Sequence, residues 1–319
     1  MRLSIVVTHY NEPYEVIEKL FTSIREQRMV PWSEVELHVV EDGTVSVDDE
    51  LLKNMPCEVY HHHPEHGGVS AARNYGMERS KGEYVMFCDC DDCFMNLLGI
   101  HLILTAAQEK PEIINSAFIE ETKTPEGELR IVRHDNDRQF VHGKAFRKAF
   151  LQRESIRFDK ELTLHEDGYF MQLAFACAKG VKNIETPFYL WCWRDDSVCR
   201  QDEFVLKTYV ELLKVRNALS EKFKAKNRMD EYRKSVLATF VFAYYDFQKP
   251  SFNDPKMSEY VIPARKAVRK FWRKYKDVIK GMTRRDIADA MHAGRILAYK
   301  SGMLYETMTL MQFIKVLEE

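Results

Sequence analysis

The stretch from Gly67 to Asp92, GGVSAARNYGMERSKGEYVMFCDCDD, constrains this chain more than any other. It reads as a loop, a helix, a turn, a strand and then three carboxylates at the strand's end. Glu83-Tyr84-Val85-Met86-Phe87-Cys88 is a nearly unbroken apolar, β-prone run, as expected for a strand covered on both faces. Asp89, Asp91 and Asp92 follow at once, where an open parallel sheet presents its ligand crevice. Carboxylates this close repel one another unless a cation sits among them. A hard divalent ion held by one or two carboxylates plus substrate phosphates meets that need. An acidic surface turn would account for the charges but not for their position after a buried strand.

The rest of the first half alternates. Strands are expected at 3–8, 36–40 and 58–61, and helices at 14–27 and 70–79. Val16, Ile17, Leu20 and Ile24 recur on one helical face. This order predicts a sheet with crossover helices. A helix at 97–108 follows, then strands at 112–121 and 128–134 paired around Thr124-Pro125-Glu126-Gly127. A helix is expected at 142–152, and another from Asp167, with Phe170, Leu173, Ala174 and Cys177 on its buried side. From about residue 203 the pattern is almost wholly helical. The expected organisation is an α/β domain over 1–200 and a helical region over 201–319.

Several motifs carry a family resemblance. Asp89-Cys90-Asp91-Asp92 resembles the Asp-x-Asp motif of family 2 glycosyltransferases with the GT-A fold, and Ala72-Arg73-Asn74, Gly76, Gly82, Glu83 and Tyr84 match its approach. Ser4 to Glu12, SIVVTHYNE, is similar to the family's first strand and nucleotide loop. Val39-Val40-Glu41-Asp42-Gly43-Thr44 resembles the second strand's end, with Glu41 where Asp is usual. His165-Glu166-Asp167 resembles the pair whose Asp is the catalytic base. The last hundred and twenty or so residues lie outside the resemblance.

The resemblance implies a Rossmann-like GT-A domain, of the nucleotide-diphospho-sugar transferase type, with an α-helical C-terminal appendage. Its acceptor side would begin near residue 95. It implies a nucleotide-sugar co-substrate, with UDP the family's commonest carrier, and Mn²⁺ or Mg²⁺ as cofactor. Thr8 and Tyr10 would lie along the base, and Glu41 or Asp42 would accept a hydrogen bond from it. Asp89 would accept from ribose hydroxyls, Asp91 would ligate the metal, and Arg73 would assist in the nucleotide pocket. A metal there acts as a Lewis acid on the leaving diphosphate.

Asp167 is the expected general base. A sugar hydroxyl is a weak nucleophile, and a positioned carboxylate taking its proton is worth about 10²–10⁴-fold. A helix N-terminus favours the ionised form, whereas a dry site opposes it. Acidic residues also cap helices in the ordinary way. One base opposite the leaving group implies direct displacement with inversion.

Other constellations weigh less. Cys88, Cys90 and Cys93 have a spacing compatible with zinc, but Cys88 falls inside the strand. His61, His62, His63 and His66 resemble a metal cluster, yet adjacent strand residues point to opposite faces. Three in a row cannot easily converge, so a loop lip beside the nucleotide pocket is expected. Trp191-Cys192-Trp193-Arg194-Asp195-Asp196-Ser197 follows a strand, and its Arg and Ser are candidates for the diphosphate. The Gln-x-x-Arg-Trp motif of membrane-embedded processive synthases is absent. Arg265, Lys266, Arg269, Lys270, Arg273 and Lys274 recur at helical spacing between apolar residues. Such a helix can meet anionic lipid, a polyanionic acceptor or nucleic acid, or simply be solvated.

A net charge of −2 over 319 residues marks no global nucleic-acid or membrane field. Met1-Arg2 runs straight into a strand pattern without a signal peptide, and seven cysteines lack regular pairing. The expectation is a cytoplasmic protein, peripheral membrane contact left open, that transfers sugar to a surface glycan or glycolipid. The alternatives are transfer to a modified nucleobase hydroxyl in DNA, and a non-catalytic nucleotide-sugar or glycan-binding module.

Overall fold

The computed structural model describes every residue except 125, 198, 199, 201, 202 and 301. The turn expected at 124–127 therefore lies partly outside the described residues. The chain forms two compact units, Met1–Asp195 and Asp196–Glu319.

The first unit is built on one mixed sheet. Strands β1 (Leu3–His9), β2 (Val35–Glu41), β3 (Glu58–His62) and β4 (Tyr84–Asp89) run parallel in the order β3-β2-β1-β4. Helices α1 (Tyr14–Arg25), α2 (Asp49–Lys53) and α3 (Val69–Arg79) make the crossovers. Every residue of β1 and β2 is buried, which is why both read as continuous apolar runs. Two glycines are fixed by close approach. A Cβ on Gly76 of α3 would stand 2.4 Å from Val6, and one on Gly82 would stand 2.6 Å from the Ser4 amide nitrogen. At the sheet's other end Glu36 is fully buried. Burial would raise its carboxyl, but His38, the Ser4 hydroxyl at 2.5 Å and the Lys81 amide bring it down to about 2.

Beyond β4 the direction changes. A short β5 (Cys93–Phe94) and α4 (Gly99–Ala106) lead to the long β6 (Ile113–Lys123), which pairs antiparallel with β7 (Leu129–His134) as expected. The helix expected over 142–152 is a different object. Lys144–Arg147 form β8, wedged antiparallel between β4 and β6, and only Lys148–Arg153 are helical (α5). Lys144, Ala145 and Phe146 are all wholly buried, and burial on both faces overrides the local helical pattern. Helix α6 (Glu166–Cys177) follows, then β9 (Val181–Trp191), which runs parallel to β6 and pairs with β5.

The second unit is helical: α7 (Phe204–Lys207), α8 (Tyr209–Ala225), α9 (Met229–Asp246), α10 (Ser258–Lys280), α11 (Arg284–Lys300) and α12 (Leu310–Glu318). Phe240, Trp272 and Phe313 belong to its aromatic core. Among the described residues no helix is long and apolar enough to cross a membrane.

Candidate active site

The parallel strands end together, and the register places Thr8 beside Asp89 and His9 beside Glu41. Asp89 is the last residue of β4 and is hydrogen-bonded to the Thr8 side chain. Burial would raise its carboxyl, but the Arg73 guanidinium, with His142 and the Thr8 bond, holds it below the usual carboxylate range.

Arg73 is the hub. It projects from α3, is 3 % exposed, and donates through one terminal nitrogen to Asp89 at 2.7 Å. The other nitrogen donates to Glu166 at 2.9 Å and to Asp167 at 2.6 Å. Carboxylates nearly eighty positions apart are thus held on one planar cation, a geometry suited to guanidinium and not to ammonium. Both terminal nitrogens of Arg73 are engaged with carboxylates.

Asp167 lies in the first turn of α6, and its second oxygen accepts from the Val141 amide at 3.4 Å. Burial pushes it up to about 7; Arg73 opposes the rise, while Glu166 and Asp89 add to it.

Asp91 faces outward from the same turn, its side chain 30 % exposed, and accepts from Arg194 at 3.1 Å. Burial and the charge of Asp89 push it up to about 6, against the pull of Arg194. Glu12 stands 3.8 Å from the same guanidinium. Asp92 turns inward instead. Its oxygens accept from the Tyr189 hydroxyl at 2.7 Å and the Cys192 amide at 3.0 Å, tying the end of β4 to β9. His142, also buried, brings a ring nitrogen to 3.7 Å from Asp92. Tyr189 and His142 carry no local signal in the sequence: each is one aromatic or polar residue in an apolar strand or turn, recruited by topology.

On the other side of Thr8, Tyr10 is 55 % exposed, its ring 5.5 Å from that of His66. Asn11, in the left-handed region at φ 62°, accepts from the amides of Thr44 and Val45 at 2.7 and 2.8 Å. Asp42 accepts from the Gly67 amide at 2.7 Å and pairs with His66 at 3.0 Å. Glu41 is committed inward, bonded to His61 at 2.5 Å, His63 at 2.7 Å, the Ser46 hydroxyl at 3.0 Å and the Val47 amide at 2.6 Å. The histidine run obeys strand alternation: His62 turns the other way, 3.0 Å from His38. The cysteine run does not converge, for Cys90 faces Glu12 and Cys93 faces Cys192.

The basic row on α10 is partly internal. Arg265 donates to the Phe252 carbonyl at 3.0 Å, Arg269 to the Val316 carbonyl at 3.2 Å, and Lys274 to Asn217 at 3.0 Å. Lys266, Lys270 and Arg273 are exposed. Lys274 is exposed as well, pairing with Glu221 at 3.0 Å.

The model of glycosyl transferase family 2 matches residues 4–175, more than half of the chain. The chain belongs to that family and is a glycosyltransferase. Among curated relatives it is 26 % identical over 236 residues to the uncharacterized glycosyltransferase EpsJ of Bacillus subtilis, covering 65 % of this chain and 67 % of EpsJ. To the Staphylococcus aureus poly(ribitol-phosphate) beta-N-acetylglucosaminyltransferase TarS it is 21 % identical, over 78 % of this chain and 45 % of TarS. It thus spans about two thirds of the first relative and under half of the second. The structure of S. aureus TarS 1–349 in complex with UDP-GlcNAc superposes with a TM-score of 0.66 at 18 % identity, covering 96 % of this chain and 93 % of that one. The Pyrobaculum calidifontis mannosyltransferase PcManGT, solved with GDP-Man and Mn²⁺, gives 0.52 at 15 % identity, over 95 % and 83 %. The fold is the GT-A fold with a helical C-terminal region.

Proposed function

We propose that this glycosyltransferase moves a hexosyl group from a UDP-sugar to a hydroxyl of a surface glycan or glycolipid, inverting the anomeric carbon and acting on the cytoplasmic side. The observation that carries this reading is the Arg73 bridge. One buried guanidinium holds Asp89, on the donor side, and Asp167, the base, in a single network. A module that merely bound sugars would have no use for a carboxyl poised near 7.

Catalysis belongs to residues 1–195 in this reading. The exposed Tyr10 ring offers the nucleobase a flat face, and Thr8 borders it. Asp42 reads the base edge once His66 and Gly67 share it. Glu41 supports that wall from behind, its carboxylate held by His61, His63, Ser46 and the Val47 amide. Asp89 accepts from ribose.

Asp91 suits a hard cation: it is partly exposed at the strand end, close to the carboxylate of Asp89, which together with burial raises it to about 6. Mn²⁺ or Mg²⁺ held there would stabilise, as a Lewis acid, the charge of the departing diphosphate. Arg194, already against Asp91, supplies a second positive group for the same phosphates. Asp167 takes the acceptor hydroxyl's proton as that oxygen attacks from the face opposite the leaving group. Arg73 then steadies the network as the proton arrives. The exposed Lys266, Lys270 and Arg273 give an anionic acceptor a place to rest. The polyribitol phosphate in the name of the relative TarS is an acceptor of that kind.

A panel of nucleotide sugars incubated with Mn²⁺ or Mg²⁺, followed by nucleoside diphosphate release and mass spectrometry of glycan acceptors, tests the reading. UDP release that needs a divalent ion is the expected result. Metal-independent release, or none with any donor, would overturn it.

A further inference from the structure

We propose that Glu41, His61 and His63 form a second metal site, selective for a transition ion of the Zn²⁺ class and separate from Asp91. The site is assembled across two parallel strands. Glu41 closes β2, His61 lies in β3, and His63 follows one residue past the end of that strand, with both rings turned to Glu41. Their ring centroids are 4.4 Å apart. His61 Nε2 reaches one Glu41 oxygen at 2.5 Å and His63 Nδ1 reaches the other at 2.7 Å. One ligand atom from each residue lies within 4.8 Å of the other two.

Two nitrogens and one carboxylate oxygen make a three-ligand set that leaves a tetrahedral ion one open position for water. Bonds of about 2.0–2.1 Å at tetrahedral angles separate ligand atoms by roughly 3.3 Å. The contacts must therefore open slightly, and one partner is free to do so: the His63 side chain is 58 % exposed, whereas those of His61 and Glu41 are 19 % and 3 % exposed. The supporting shell already exists. The Val47 amide and Ser46 hydroxyl fix the carboxylate's direction, as outer partners do in metal sites. Imidazole favours Zn²⁺, Cu²⁺ or Ni²⁺ over the oxygen-seeking Mg²⁺ and Mn²⁺, so the two sites select different ions. A bound ion would pin the end of β3 to β2, three residues before His66, whose ring neighbours Tyr10.

The test uses the whole chain, stripped with chelator and held in excess Mg²⁺ so that the acidic turn is not the reporter. Zn²⁺ is titrated against a micromolar chromophoric chelator, and Cu²⁺ is examined by electron paramagnetic resonance. One Zn²⁺ per chain and a two-nitrogen Cu²⁺ signal are expected. His63→Ala, at an exposed ring, and His61→Gln should each weaken Zn²⁺ by at least about 10–100-fold, the scale seen when even outer partners are lost. Each variant's metal-free melting curve is checked against wild type. Wild type that fails to compete with the chelator would overturn the proposal. So would a folded His63→Ala chain that binds Zn²⁺ as tightly as wild type.

Discussion

The turn after β4 and the outer row of α10 each gather charges of one sign, and they meet different fates. Asp92 is buried and Asp89 and Asp91 are partly so, and each finds a separate partner: Arg73 for Asp89, Arg194 for Asp91, and the Tyr189–Cys192 pair for Asp92. Burial, with a smaller push from the neighbouring carboxylates, raises Asp91 to about 6 and Asp167, across the Arg73 bridge, to about 7. On α10 the basic heads spread along a helix. Arg265 and Arg269 end on carbonyls, Lys274 on an amide oxygen, and the remaining three in solvent. Like charges do chemistry where a low dielectric makes them feel one another; on a wet surface they are screened.

The sharpest way to break this contrast is Asp167→Asn, which keeps the side chain's shape and cannot accept a proton. Transfer should fall by about 10²–10⁴-fold with donor affinity retained. In wild type, kcat/KM should rise tenfold per pH unit below 7 and level off above it, because the base must be ionised. In the variant that rise should disappear. The stability sign is opposite. A carboxyl whose folded value is raised to about 7 keeps its proton in the native state between pH about 4 and 7, so its contribution to stability falls as pH climbs through that window. Near-normal turnover in Asp167→Asn would make the residue a binding group.

Arg73→Met removes the one cation that three carboxylates share. Breaking a buried ion pair from one side costs about 3–5 kcal/mol, which urea unfolding near neutral pH would register. Part of that loss should return at acid pH, where the stranded carboxylates are protonated. A melting curve like that of wild type would mean that the bridge contributes little. A smaller effect is expected at the exposed member of the cluster. Asp91→Asn should lower Mn²⁺-supported UDP affinity by about tenfold, or about 1.4 kcal/mol, and leave metal-free UDP binding alone. If Mn²⁺ strengthens UDP binding equally in both chains, Asp91 is not the ligand.

Much of the first unit was legible because local and tertiary signals agree there. The continuous apolar runs of β1, β2 and β4 are continuous because both faces are covered, and the carboxylates follow as the sheet geometry requires. The 142–152 segment departs from its local helical pattern because Lys144-Ala145-Phe146 owes its strand form to β4 and β6 on either side, which no local periodicity records. The Arg73 bridge was equally hidden. Arg73 was expected in the nucleotide pocket, and its acids come from α6, over ninety residues on, which no local pattern announces. The histidine run shows a finer failure. Alternation correctly excluded three neighbours meeting at one point, but not His61 and His63 meeting Glu41 from the next strand.

The smallest effects belong to α10, and they separate its two kinds of charge. Arg269→Ala loses the bond to the Val316 carbonyl and should cost about 1 kcal/mol of stability, without altering the salt dependence of transfer. Reversing Lys266, Lys270 and Arg273 to Glu should do the converse. These heads are exposed, so stability should stay within about 0.5 kcal/mol of wild type and slow donor hydrolysis should persist. Transfer to an anionic glycan at low ionic strength should weaken severalfold. Raising salt to about 0.15 M, where the Debye length is about 8 Å, should bring wild type and variant together. If the variant transfers like wild type at low salt, the three heads are solvated surface and the likeness between acidic turn and basic helix ends at counting charges. Acceptor choice would then rest with the first unit, in the loops flanking Glu166 and Asp167.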